Sequence, residues 1–205
     1  MQSDSPFAPG ESPYHVKGVV YAGTHKYFAK QVQGGLDALW TELAGDPPLL
    51  AFMQQKFLAS GWYDVLPVAA LIRAEARALR LSVPHYLRKR SEFQAKDDIG
   101  GVYRFLLKMI SPESVANRLP RLLTQIFDFG TNEINAIDNE HIEATLTGFP
   151  MMLWPWYSTA FEVYSETLLS LAGGKQVSSF VRDAQRIASD RGVDLCKFQI
   201  LCRWS

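Results

Sequence analysis

Apolar positions recur every three or four residues up to about Thr124 and every second residue thereafter, so a helical part precedes a strand-rich part. Val16 to Tyr21 is a short β-branched run that reads as a first strand or an extended lead-in. From Thr24 to Leu43, Tyr27, Phe28, Val32, Leu36, Leu39, Trp40 and Leu43 mark one helix face. Each glycine of the Gly34-Gly35 pair costs a helix about 1 kcal/mol against alanine, which predicts a break or a close packing contact there.

Asp46 followed by Pro47 and Pro48 supplies an N-cap and a first-turn proline for a second helix carrying Leu50, Phe52, Met53, Phe57 and Leu58, ended by Gly61. Asp64 caps a third, from Leu66 to Leu81, with Leu71, Ile72 and Ala74 inward and Arg73, Glu75, Arg77 and Arg80 solvated. Ser82-Val83-Pro84 restarts the chain as a fourth helix reaching about Asp98. After Gly100-Gly101, Val102, Phe105, Leu106, Met109 and Ile110 form a fifth apolar stripe. Ser111-Pro112 then opens a short sixth helix with Leu119 inward.

From Gln125 the alternation is two-fold. Ile126, Asp128 and Gly130 alternate with Phe127 and Phe129, and His141, Glu143, Thr145 and Thr147 alternate with Ile142, Ala144 and Leu146. Asp138-Asn139 is the turn between the two strands. A long aromatic helix covers the apolar face, at about 150–172 with its regular part starting near Trp154, because Pro155 fits only a first turn. Trp154, Tyr157, Phe161, Tyr164, Leu168 and Leu171 share its face, and Gly173-Gly174 ends it. Residues 177–187 suit either a strand or a helix; the apolar run after Gly192 favours a strand pairing with Leu195 to Trp204. The expected class is α+β: an N-terminal helical layer on a small antiparallel sheet. Residues 1–15 read as a flexible tail and 16–205 as one domain.

Composition narrows the uses. With 47% hydrophobic residues, and 21 basic side chains against 21 acidic ones, the chain has no global field for nucleic acid or an anionic bilayer. No apolar run approaches a membrane span, and the first residues lack a signal-peptide pattern, so a cytoplasmic protein is expected. Cys196 and Cys202 lie six residues apart on one strand, about 20 Å, too far to bridge, and read as buried thiols.

Candidate chemistry is sparse. His141 and Glu143 share one strand face, as a metal or an acid–base pair would require, and equally as a solvated sheet face would. Asp97-Asp98 sits at a helix end with a cationic neighbour expected, and Arg88-Lys89-Arg90 spreads round a helix instead of forming one face. Phe149, Met152, Trp154, Tyr157, Phe161 and Tyr164, with Phe105 and Met109 from the fifth stripe, are either core or the lining of a ligand pocket. Trp156 points off the stripe, towards a cavity or another subunit. No nucleophile, phosphate-loop or zinc-protease motif occurs, which leans away from an enzyme.

Gly192, Asp194, Cys196, Phe198 and Ile200, as G-x-D-x-C-x-F-x-I, resemble the end of 4-vinyl reductase domains. Gly18-Val19-Val20 and the amphipathic stretch to Trp40 resemble the start of haem–nitric-oxide-binding domains, which share that superfamily with TRAPP-particle subunits. Gly100-Gly101, Phe105, Leu106, Pro112 and Arg118-Leu119-Pro120 resemble a myxobacterial paralogous family of unknown function. The resemblance implies an apolar cavity between helical layer and sheet, holding haem, an acyl chain or another small ligand in different relatives. Haem itself is not supported by motif. The relatives' iron-binding histidine lies ahead of the sheet, yet no histidine occurs between His85 and His141, and the propionate motif Y-x-S-x-R is missing. The strand before the last offers Arg182, Asp183 and Gln185 where vinyl reductase domains carry a second cysteine. The expected function is non-catalytic binding of a small hydrophobic or acyl ligand; a protein adaptor or homodimer is the alternative, and an enzyme using His141 and Glu143 comes third.

Overall fold

The computed structural model describes residues 5–98 and 111–205. The expected fifth stripe, with Phe105 and Met109, lies outside them. The architecture is α+β. A two-stranded ribbon, β1 (His15–Lys17) and β2 (Trp62–Asp64), brackets α1 (Val19–Gln31), α2 (Gly35–Leu43) and α3 (Pro47–Gln54). Then come α4 (Pro67–Ala78), α5 (Val83–Asp98), α6 (Pro112–Ala116) and α7 (Leu119–Ile126). The chain closes with β3 (Thr131–Ile137), β4 (His141–Pro150), α8 (Trp154–Leu171), β5 (Ser178–Asp190) and β6 (Val193–Arg203). The four long strands form one antiparallel sheet in the order β3-β4-β6-β5.

Several expected boundaries move for identifiable reasons. The strand expected over Val16 to Tyr21 stops at Lys17, where the ribbon ends with Gly18 N–H donating to Gly61 O at 2.9 Å. Val19, Val20 and Tyr21 instead begin α1, in three- and four-residue register with Thr24 and Tyr27. Gly34 and Gly35 both take positive φ, 84° and 59°, so the pair is a break and one expected helix becomes two. The helix capped by Asp46 ends at Gln54, earlier than Gly61, and Phe57 leaves it to stack on Tyr21 with centroids 4.6 Å apart. The strand expected from Gln125 begins at Thr131, because α7 runs to Ile126 and Phe127 makes only a single bridge to Val16.

Residues 10–15, expected within a loose tail, are tied down. Asp64 accepts from Gly10 N (2.9 Å), Ser12 N (3.2 Å), Ser12 Oγ (2.5 Å) and Leu66 N (2.9 Å). Tyr14 Oη donates to Asp190 Oδ2 at 2.8 Å, and burial together with that carboxylate pushes the phenol up to about 12.

The strand, not the helix, is what forms at residues 178–190, and it pairs with β6 as expected. β5 is an edge strand. α8 closes part of it: Glu162 Oε1 accepts from Val181 N at 3.1 Å and Glu166 Oε1 from Ser179 N at 3.3 Å. Ile142, Ala144 and Leu146 of β4, paired with Cys202, Ile200 and Phe198 of β6, turn one sheet face inward. That face meets α8 and the helical layer in one continuous core.

Candidate functional site

Between the inward sheet face and the helices lies a cavity of about 280 Å³. Its floor is Ile142, Ala144, Leu146, Ile200 and Cys202; α8 contributes Trp156, Tyr157, Ala160, Phe161, Tyr164 and Leu168 to one wall. Opposite stand α1 (Val20, Tyr21, Thr24), α4 (Leu71, Ile72, Glu75), α5 (Tyr86, Arg90, Gln94) and α7 (Leu123, Ile126). The size falls near the lower end of small-molecule pockets, about 300–1,000 Å³.

The residues put forward from sequence divide. Tyr157, Phe161, Tyr164 and Trp156 line the cavity. Phe149 and Trp154 pack instead into an aromatic cluster at one end of the sheet. There Phe149 meets Tyr157 at 5.1 Å and Phe198 at 5.4 Å, and Trp154 meets Phe198 at 5.2 Å. Met152 lines a separate hollow of about 490 Å³ beside residues 5–9 and the start of α4. Trp156 is half-buried, tilted against Tyr157 at 5.3 Å and edge-on to Phe127 at 6.0 Å, so its indole belongs to the cavity wall.

His141 and Glu143 sit on the opposite sheet face from the cavity, alternating with Ile142 and Ala144. His141 Nδ1 pairs with Asp138 Oδ2 at 2.7 Å across the turn, whose carboxylate also accepts from Glu140 N and His141 N; these contacts hold Asp138 below its usual range. Among the described residues no group of three His, Cys, Asp or Glu could hold a metal ion. Asp97 finds its cation in Lys26 at 2.5 Å, and Arg88 reaches Glu92 at 3.4 Å.

Sequence periodicity missed the polar part of the cavity. Glu75, expected on the solvated side of α4, is 2% exposed. Its Oε2 accepts from Tyr86 Oη at 2.5 Å while its Oε1 has no hydrogen-bond partner. Burial pushes the carboxyl up to about 7, against the lowering influence of the Tyr86 hydroxyl, Arg90 and the Thr24 hydroxyl. Arg90 donates through Nη1 to Gln94 Oε1 (2.6 Å) and through Nη2 to Val20 O (3.3 Å), leaving Nε unpartnered. Gly23 permits this approach of α5 to α1, since a Cβ there would stand 1.8 Å from Gln94 Oε1. The only sequence signal was an acid at a position where a fully amphipathic α4 would also bury Leu71 and Ile72.

The described lining residues do not fit haem in its familiar attachment. No histidine is among the described lining residues; Cys202 is their one thiol, and burial raises its pKa, disfavouring the thiolate. The phenols of Tyr21, Tyr86 and Tyr157 are pushed well above their usual value by burial, and Arg90 is the one cationic side chain among the described lining residues for two propionates.

No family model and no curated protein matches the sequence. Solved structures do share its fold. A single-substitution variant of "Tt H-NOX" superposes with a TM-score of 0.63 at 9% identity, covering 92% of this chain and 95% of that one. An oxygen-binding H-NOX domain related to soluble guanylate cyclases gives 0.60 at 10% identity over 92% and 95%. The Fe(II) unliganded H-NOX protein from K. algicida gives 0.58 at 12% identity over 92% and 96%. The chain therefore has an H-NOX-like α+β fold.

Proposed function

We propose that this protein is a non-catalytic binding module that takes a small, largely apolar ligand into the cavity between its helical layer and its sheet. The observation that carries the reading is the cavity itself: about 280 Å³ among the described residues, where a filled core would hold side chains. Structural neighbours include a domain described as oxygen-binding, which supports a sensing or regulatory role for the fold. The lining argues for a ligand other than haem. The likeness to a myxobacterial paralogous family, and a cytoplasmic location, belong to this proposal; among the described residues no helix is long and apolar enough to cross a membrane.

Native mass spectrometry of the purified protein, compared with the denatured sample, tests the reading. A mass excess lost on denaturation, or saturable displacement of an environment-sensitive apolar dye by small hydrophobic compounds, is the expected result. A bare mass together with no uptake of any apolar probe would overturn it. The half-buried Trp156 indole on the cavity wall supports the ligand-binding reading over the adaptor or homodimer alternative.

A further inference from the structure

We propose that Glu75 and Arg90 form a polar end to the cavity that selects a ligand with an apolar body and a neutral, hydrogen-bond-donating head, a hydroxyl or an amide N–H. This deepens the cavity-binding reading and rests on it. The primary observation is Glu75 Oε1: an acceptor on a cavity-lining side chain 2% exposed that receives no hydrogen bond of ordinary geometry, although the Thr24 hydroxyl lies near the carboxyl and Tyr86 holds its sister oxygen. Buried acceptors are rarely left unmet in folded proteins, and an unmet one on a cavity-lining side chain is a place for a ligand's donor.

Arg90 decides the charge of that donor. Its guanidinium lies on the same cavity wall, near enough to Glu75 to favour the carboxylate, but among the described residues no ion pair joins the two. Arg90 Nε is unpartnered as well. An ammonium head would donate to Glu75 but meet the guanidinium; a carboxylate head would meet Glu75. A hydroxyl or amide donates to Oε1 and offers an oxygen to Arg90 without repelling either. Much of the remaining lining, including Leu71, Ile72, Ile142, Phe161 and Leu168, suits an aliphatic body, while the unpartnered Tyr157 hydroxyl is a second polar point that the Glu75 variants leave in place.

The test compares four probes of equal length with the whole protein at pH 8 by titration calorimetry: 1-octanol, its isomer methyl heptyl ether, octylamine and octanoate. The expected result is 1-octanol binding at least tenfold more tightly than each of the others. Glu75→Leu, checked for cooperative unfolding, should bring the alcohol and the ether to equal affinity. Glu75→Gln keeps an acceptor, adds a donor and removes the negative charge, so it should retain the alcohol and improve octanoate at least tenfold; this variant serves if the leucine one does not fold. Equal binding of alcohol and ether to the unaltered protein would overturn the proposal, a buried water then being the partner of Oε1. So would an alcohol preference that survives Glu75→Leu, or no gain for octanoate with Glu75→Gln. Failure of all four probes, and of an apolar dye, would instead overturn the cavity-binding reading on which this one rests.

Discussion

Tyr86 Oη donates to Glu75 Oε2 at 2.5 Å, and neither side chain reaches solvent: Tyr86 is 0% and Glu75 2% exposed. The bond joins α5 to α4 through the cavity wall. Even with the Thr24 hydroxyl also near it, this buried carboxyl is under-solvated, because an ionised carboxylate accepts about four hydrogen bonds. The helical layer therefore carries an ionisable group whose protonation is coupled to folding.

That coupling has a definite sign. The folded protein holds the Glu75 proton more tightly than the unfolded chain, about 7 against 4.5. Stability from this group is fully present below about pH 4.5 and is lost as the pH rises through about 7. At 1.36 kcal/mol per pH unit the swing is on the order of 3 kcal/mol. The groups facing the carboxyl are Tyr21, Thr24 and Tyr27 from α1 and Tyr86 and Arg90 from α5. Urea unfolding midpoints at intervals from pH 4.5 to 7.5 should show this decline relative to Glu75→Gln, which cannot ionise. Parallel profiles for the two proteins would refute it.

Ala160 offers a test of the empty space. It is half-buried on α8 and lines the cavity between Trp156 and Tyr164. In a filled core, Ala→Phe would cost about 1–3 kcal/mol through overpacking. Here Ala160→Phe should change stability by less than about 1 kcal/mol, because the ring enters open volume. The same substitution should abolish uptake of an apolar dye. Thermal unfolding and dye titration on one sample read both effects.

Much of this arrangement was legible in the residues. Strict alternation from His141 to Leu146 specified β4 and its inward face, and Asp138-Asn139 specified the turn. Pro155 placed the start of α8, and Gly173, at φ 98°, its end. What periodicity could not show is which helix face meets a cavity and which meets a neighbour. Tyr157 and Trp154 share one stripe, yet one lines the cavity and the other packs on Phe198, because the sheet's aromatic end fills the space beside Trp154. Glu75 was misread for a related reason. α4 is buried on more than one side, with Ala74, Glu75 and Ala76 all enclosed, and a two-sided burial erases the polar stripe that marks a solvated face.

His141 and Glu143 should be dispensable for ligand uptake. Both lie across the sheet from the cavity, and His141 is engaged with Asp138 in the turn. The double replacement His141→Ala with Glu143→Ala should leave dye affinity within about twofold. It should also release no metal, as elemental analysis of both proteins would show. A loss of binding would mean that the outer sheet face takes part in recognition.

Asp64 should matter more to stability than any of the candidate chemistry. It is 3% exposed and its carboxylate gathers four donors: Gly10 N, Ser12 N, Ser12 Oγ and Leu66 N. The first three come from the segment ahead of β1, and the last from the start of α4, so one side chain ties the chain's beginning to the helical layer. Asp64→Ala leaves those donors without an acceptor at a buried site, where each unmet group costs about 1–3 kcal/mol. Partial access of water to Gly10 reduces the sum, and a loss on the order of 4 kcal/mol is expected. Asp64→Asn keeps a single carbonyl oxygen and should fall between. The two effects of Asp64→Ala separate by method. Urea unfolding reads the global loss, whereas limited proteolysis under native conditions reads release of residues 5–14, which should become cleavable while α4 and the sheet stay protected. Tyr14 supplies the internal control, since its bond to Asp190 anchors the same segment independently at 2.8 Å. If Asp64→Ala unfolds normally but the segment stays protected, Tyr14 is the principal tether, and Tyr14→Phe should then release it.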